Sequence, residues 1–106
     1  MIREAAPGYE DVPPIIMQGH MDMVCEQVPG LGKDMDNEGV EVTYDGDYVY
    51  AKGTTLGADD GFGVAIGLAL MDDPDLKAPR IEFVITTAEE VGMDGATAID
   101  LSMLKG

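Results

Sequence analysis

Three short acidic stretches contain the residues whose types and spacing could do chemistry. In chain order they hold His20 with Asp22, the adjacent pair Asp59 and Asp60, and the adjacent pair Glu89 and Glu90. Imidazole and carboxylate groups bind zinc and transfer protons in active sites. Adjacent carboxylates repel each other, so a buried pair needs a cation or protons nearby. Taken singly, each stretch also fits a solvated surface loop. Together they predict a metal site.

His20 is the only histidine, and a lone histidine is more often structural than functional. Asp22 favours a functional role for His20, because alternation in an extended chain puts the two side chains on the same face. An Asp that accepts a hydrogen bond from the far ring nitrogen fixes the tautomer and makes the near nitrogen a better ligand. The pair therefore indicates a metal ligand with an orienting acid.

The two acidic pairs could divide the work of metal-assisted hydrolysis. Glu89 and Glu90 directly follow an apolar stretch. One carboxylate could hold a metal while its neighbour deprotonates a bound water. A bridging acid such as Asp59 would hold two cations a few ångströms apart. The alternative for such pairs is a solvated charged surface, which is their commoner role.

The elements that must position these residues alternate between strand and helix. The sequence predicts an irregular or edge segment over 1–14, a short buried strand over 15–18, a β-hairpin over 40–51, a helix from about 61 to 72, a strand over 80–87 and a helix from about 94 to 104. The first helix is apolar on nearly all sides and is expected to be buried. Strands separated by helices argue for an α/β fold, whose sites gather at the carboxyl ends of strands. The acidic stretches are therefore expected to converge on one edge of the sheet.

Composition limits the partners and the compartment. The 106 residues suit one small domain, 1–106, that is long enough for a hydrophobic core. A net charge of −15, with 21 acidic residues against six basic ones, argues against nucleic acid. The apolar runs are too short to span a bilayer, and the N-terminus has no signal-peptide core. The single cysteine, Cys25, is compatible with a reducing cytoplasm.

Two further patterns fit less well. Residues 61–67 resemble a dinucleotide-binding loop, but the third glycine comes one position late. Residues 34–45 resemble a calcium loop, but no helices flank it, and position twelve is Asp rather than Glu. A non-enzymatic, acidic calcium-binding module therefore stays open as the alternative to an enzyme.

Taken together, segments 18–24, 53–61 and 89–95 resemble the catalytic domain of the aminoacyl-histidine (Xaa-His) dipeptidases. These belong to the co-catalytic zinc peptidases, which include carboxypeptidase G and the aminoacylases. The resemblance runs from about Pro13 to Gly106. It implies part of a three-layer α/β catalytic domain with a mixed sheet, a β-hairpin and two helices. The related tripeptide aminopeptidases are the runner-up, but they usually carry Lys soon after the acidic pair, where this chain has Gly61-Phe-Gly.

The resemblance also implies a role for each matching residue. His20 would bind one of two zinc ions, Glu90 the other, and Asp59 both. Asp22 would orient His20, and Glu89 would be the general base on the bridging water. The Asp59–Asp60 peptide bond would be cis, and the substrate a small Xaa-His peptide. Family members are much longer and carry further ligands beyond this chain, so the chain alone is expected to be inactive and to self-associate through an exposed sheet edge.

Overall fold

The computed structural model describes all 106 residues. The elements are β1 (Ile2–Arg3), β2 (Ile15–His20), β3 (Val42–Tyr44), β4 (Val49–Ala51), α1 (Ala58–Asp72), β5 (Ile81–Thr86) and α2 (Asp94–Ala98). β1, β5 and β2 form a three-stranded sheet in that order, and β3 pairs with β4 as a separate hairpin. The predicted α/β class, with a mixed sheet, a hairpin and two helices, is confirmed.

β5 is the central strand of the sheet. Its sequence is rich in β-branched and aromatic residues, which favour a pleated surface. β2 runs parallel to it, from Ile15 opposite Ile81 to His20 opposite Thr86, and β1 pairs antiparallel on its other side. The parallel register places the carboxyl ends of β2 and β5 side by side. The residues that follow the two strands therefore emerge at one edge of the sheet.

α1 packs on the sheet through a glycine. Gly67 is the one buried residue of the helix, and a β-carbon there would overlap the ring of Phe83 in β5. Phe83 is 1% exposed and, with Ile81, makes up the buried hydrophobic core. The absence of a side chain at Gly67 thus brings the helix close to the central strand.

The expectation that α1 is buried on nearly all sides is wrong. Phe62 is 70% exposed, and Ile66 and Leu68 are more than 40% exposed. Only the sheet covers the helix, so its outer faces stay bare. Neither helix is long and apolar enough to cross a membrane.

The chain is elongated, and its core is small. Seven of the 106 residues are buried, and the radius of gyration is 17.4 Å, whereas a compact domain of this length would have about 13 Å. The hydrophobic core that the length allows is therefore only partly formed. The prediction that the strand over 15–18 is buried is wrong in its first half, because Ile15 is 47% and Ile16 42% exposed at the side of the sheet.

α2 is shorter than predicted. The apolar spacing of Ala96, Ile99 and Met103 predicts a helix to about residue 104, but α2 ends at Ala98 and Ile99 has extended backbone angles. The Asp100 carboxylate accepts the Ser102 N–H at 2.8 Å, a local turn that competes with helical hydrogen bonding. Ile99 and Met103 instead line an apolar cavity beside β5.

A charge network holds the start of β5, at the opposite end of the strand from the acidic residues. Glu82 is fully buried, and its carboxylate accepts a hydrogen bond from Arg80 Nε at 2.7 Å. It also accepts the backbone N–H groups of Lys105 at 2.7 Å and Gly106 at 3.1 Å. Arg80 makes a second ion pair with Glu4. The network joins both ends of the chain to the central strand.

We expect this network to make stability fall in acid. Arg80 lowers the pKa of Glu82, which burial alone would raise, and the two N–H groups lower it further. Because the folded-state pKa lies below the unfolded one, the stabilisation is present above the unfolded pKa and is lost as the pH falls through the folded pKa. Thermal melts of wild type and Glu82→Gln at neutral and acidic pH test this. Acid should lower the wild-type melting temperature more than that of the variant.

Glu26→Gln is the matched control, since Glu26 is exposed and its side chain makes no hydrogen bond or ion pair. It should melt like wild type at every pH. Equal acid sensitivity of wild type and Glu82→Gln would show that other groups cause the loss.

Candidate metal centre

His20 ends β2 and has a fixed ring orientation. The residue is 8% exposed, and its Nδ1 lies 3.0 Å from the backbone carbonyl oxygen of Asp22. A carbonyl oxygen can only accept, so Nδ1 carries the proton and Nε2 of the neutral ring has a free lone pair. Nε2 lies 3.5 Å from Oδ1 of Asp59. The ring therefore presents a metal-binding nitrogen toward an acceptor oxygen, an arrangement that a cation between them would stabilise.

Asp22 works through its backbone and its side chain. The sequence assigns the ring hydrogen bond to its carboxylate, but Oδ1 lies 3.6 Å from Nδ1, and the Asp22 carbonyl takes that role. The carboxylate instead accepts the backbone N–H groups of Glu89 and Glu90, both at 3.2 Å. Asp22 thus orients His20 and also holds the loop after β5.

The charges at the site favour a cation. Burial would raise the pKa of Asp22, but the N–H groups of Glu90 and Glu89 outweigh it, so the pKa is lowered and the carboxylate is ionised at neutral pH. Burial would lower the pKa of His20, but the hydrogen bond to the Asp22 carbonyl, the negative charges of Glu89 and Asp22, and Asp59 outweigh it, so the pKa is raised. The surroundings of the ring thus carry an excess of negative charge that attracts a proton or a metal ion.

Three side chains converge on one small volume beside the His20 ring. The potential ligand atoms of His20, Glu89 and Glu90 all lie within 4.8 Å of one another. Zinc–ligand bonds are about 2.0–2.3 Å long and tetrahedral, so two atoms on one zinc lie about 3.3–3.8 Å apart. Side-chain movements of about an ångström would bring pairs of these atoms to that separation. The donor set, one imidazole nitrogen with carboxylate oxygens, fits zinc.

The start of α1 completes the cluster. The Asp59–Asp60 peptide bond is cis, as the resemblance predicts. The Asp59 side chain is 92% exposed beside the His20 ring. Asp60 is half-buried, and its Oδ2 accepts the His20 backbone N–H at 3.3 Å. Sequence reasoning assigned no role to Asp60; the only signal was its position between glycines beside the other acid.

A cleft opens next to the acids. It has a volume of about 280 Å³ and is bordered by Asp59 and Glu90. Its remaining lining is small or apolar: Met23, Val24, Thr55, Leu56, Gly57 and Ala58. The candidate ligands therefore border a space that a small molecule can enter.

The fold matches a segment of solved and curated dipeptidases. The chain matches the crystal structure of aminoacylhistidine dipeptidase from Vibrio alginolyticus with a TM-score of 0.92 and 38% identity, over 99% of this chain and 21% of that one. It is 36% identical over 103 residues to the cytosol non-specific dipeptidase of Escherichia coli, covering 97% of this chain and 21% of the relative. No protein-family model matches it.

The chain is also 37% identical over 101 residues to the uncharacterized protein YqjE of Bacillus subtilis, covering 92% of this chain and 24% of that protein. It thus spans about a fifth to a quarter of the length of these relatives. The chain is homologous to a segment of the dipeptidases, which confirms the resemblance seen in the three acidic stretches.

Proposed function

We propose that this chain is the metal-binding part of a zinc-dependent dipeptidase that hydrolyses Xaa-His dipeptides. The convergence of His20, Glu89 and Glu90 within 4.8 Å carries the proposal. Asp59, 3.5 Å from the ring nitrogen, is suited to bridge two zinc ions. His20 would hold one ion and Glu90 the other. The names of the Vibrio and Escherichia coli relatives support a dipeptide substrate.

The proposed mechanism assigns the proton transfer to Glu89. Bound zinc supplies Lewis acidity that makes a water easier to deprotonate. Glu89 takes the proton of the attacking water and passes it to the leaving amine. Asp22 is a positioning residue, because it binds the backbone of Glu89 and the ring of His20 at once. It therefore fixes the base relative to the ligand.

A broader dipeptide range is the second candidate, because the Escherichia coli relative is named a non-specific dipeptidase. A panel of dipeptides with and without a C-terminal His, hydrolysed by a full-length protein carrying this segment, separates the two. A strong preference for C-terminal His supports the narrower proposal. Cleavage of tripeptides but not dipeptides would favour the aminopeptidase alternative.

The structure lends the calcium alternative little support. In the loop over residues 34–45, the Asp34 carboxylate accepts the Asn37 side-chain N–H at 2.9 Å. The Asp45 carboxylate accepts the Tyr48 N–H in the hairpin turn at 3.1 Å. These acids serve local turns and do not converge, so the zinc proposal is preferred.

The proposal also covers the location, the partner and the self-association of the protein. A cytoplasmic location is supported by the cytosolic Escherichia coli relative and by the single free cysteine, Cys25. The partner is a small peptide, and the acidic surface disfavours nucleic acid. β2 has an open edge, because it lies at one side of the sheet. Self-association of the chain through that edge is part of the proposal.

We expect the chain alone to bind zinc weakly and to lack dipeptidase activity. One ion would have only His20 and Asp59, and the other only Asp59 and Glu90, whereas a catalytic zinc normally keeps three protein ligands and a water. Calorimetric zinc titration and an Xaa-His assay with excess zinc test this. Turnover that depends on Glu89, or sub-micromolar binding of two zinc ions, would contradict it.

The matched variants are His20→Ala and Asp47→Ala, which removes an exposed acid in the hairpin turn. His20→Ala should weaken zinc binding by at least about tenfold, since it removes a direct ligand. Asp47→Ala should bind like wild type. Calcium preference that is insensitive to His20→Ala would favour the non-enzymatic module.

A further inference from the structure

We propose that Asp60 is a positioning residue that clamps the end of β2 and so fixes the His20 ring against Asp59. The inference deepens the proposed function and rests on His20 being a metal ligand. Its structural part concerns only the backbone of His20. That part can be tested without metal.

Hydrogen-bond geometry in β2 shows why the clamp is needed. The Met21 N–H donates to the Thr86 carbonyl oxygen of β5 at 2.9 Å. Successive N–H groups of a strand point to opposite sides, so the His20 N–H points away from β5 to the open edge of β2. A buried N–H without a partner is costly. The Asp60 carboxylate supplies that partner at 3.3 Å.

The carboxylate fits a slot made by two glycines. A β-carbon at Gly19 of β2 would lie 2.5 Å from Asp60 Oδ2. A β-carbon at Gly63 of α1 would overlap the whole carboxylate, with Cγ at 2.7 Å. Neither glycine has a positive φ angle, so backbone conformation does not explain them. The space that they leave is occupied by Asp60.

The two adjacent acids therefore act on opposite parts of one residue. Asp60 holds the His20 backbone, whereas Asp59 lies 3.5 Å from its ring. Because the two acids are neighbours in sequence, fixing the His20 backbone to Asp60 also sets the distance from the ring to Asp59. Loss of the clamp would loosen the separation between two proposed ligands without removing either.

The first test compares Asp60→Ala with Asp60→Asn. Asn keeps an acceptor oxygen of the same shape, whereas Ala removes it. In the metal-free chain, amide hydrogen exchange of His20 should be at least about tenfold faster in Asp60→Ala, because the His20 N–H is left without an acceptor. Asp60→Asn should stay near wild type. Unchanged His20 exchange in Asp60→Ala, or equal acceleration in both variants, would overturn the clamp.

The second test uses metal affinity and spectra. Residues that orient ligands typically change metal affinity by about 10–100-fold. In a full-length protein that carries this segment, Asp60→Ala should weaken zinc binding by that factor and alter the visible spectrum of bound Co²⁺. Asp60→Asn should show the wild-type affinity and spectrum. If wild type binds no zinc while His20 exchange still depends on Asp60, the proposed function fails and the clamp stands. Wild-type affinity and spectrum in Asp60→Ala would refute the effect on the metal site.

A glycine variant distinguishes loss of the clamp from general unfolding. Gly63→Ala should displace the Asp60 carboxylate and speed His20 exchange as Asp60→Ala does, and the double variant should be no worse than Asp60→Ala. Gly61→Ala, two residues away with no atom within 4 Å of the new carbon, is the control and should leave exchange unchanged. Additive effects of Gly63→Ala and Asp60→Ala would contradict a shared slot.

Discussion

Replacing Glu89 by Gln, in a full-length dipeptidase that carries this segment, is expected to keep zinc bound and to remove most of the turnover. The amide has nearly the same shape as the carboxylate but cannot take a proton at neutral pH. General bases contribute about 10²–10⁴-fold to rates, so kcat should fall by that factor. Steady-state kinetics and metal analysis of the purified protein measure the two effects separately.

Glu90→Gln is the matched comparison, because it makes the same chemical change one residue away. Both residues donate their backbone N–H to Asp22, so the loop should stay in place in either variant. Glu90→Gln should lose zinc together with activity. Equal loss of metal in the two variants would show that Glu89 is a ligand, like His20 and Glu90, and that the base lies elsewhere.

The convergence of the acidic stretches was predictable from the sequence. A β-branched strand and a second strand separated from it by a helix favour parallel pairing, and parallel strands bring their carboxyl ends together. The register of His20 opposite Thr86 does this. The hairpin was equally clear, because alternating residues flank a turn at Asp45 and Gly46.

The division of labour within the site was not predictable. Alternation places His20 and Asp22 on one face, but it does not reveal which oxygen reaches the ring. That depends on backbone torsions beyond the strand, and the structure uses the Asp22 carbonyl. The role of Asp60 depends on contact with Gly19, about 40 residues away in sequence. A long-range contact of this kind leaves no local pattern to read.

Burial was overestimated for a related reason. The apolar sequence of α1 shows which residues prefer to leave water, but not how much protein is present to cover them. The sheet contributes three strands, and the outward side chains, Phe62 among them, remain exposed. The same limit applies to α2, where apolar spacing matched a helix but Ile99 and Met103 face the sheet from an irregular segment.

Gly67→Ala is expected to destabilise the fold more than any other glycine-to-alanine change in α1. The new β-carbon would overlap the ring of Phe83. That ring is 1% exposed in the central strand, so it has no free space to move into, and α1 must shift outward. Overpacking of this kind costs about 1–3 kcal/mol. Urea or thermal unfolding followed by circular dichroism measures the loss.

Gly61→Ala supplies the control for helix propensity. Alanine is favoured over glycine within a helix by about 1 kcal/mol, and no atom lies within 4 Å of the added carbon at Gly61. Gly61→Ala should therefore be neutral or slightly stabilising. Gly61 follows two residues with non-helical backbone angles, Asp59 and Asp60, so its propensity gain is at most that of Gly67 in the helix interior. The difference between the two variants is therefore a lower bound on the steric cost at Phe83. If Gly67→Ala is as stable as Gly61→Ala, α1 does not pack on β5 at this glycine, and another contact must hold the Asp59–Asp60 pair beside His20.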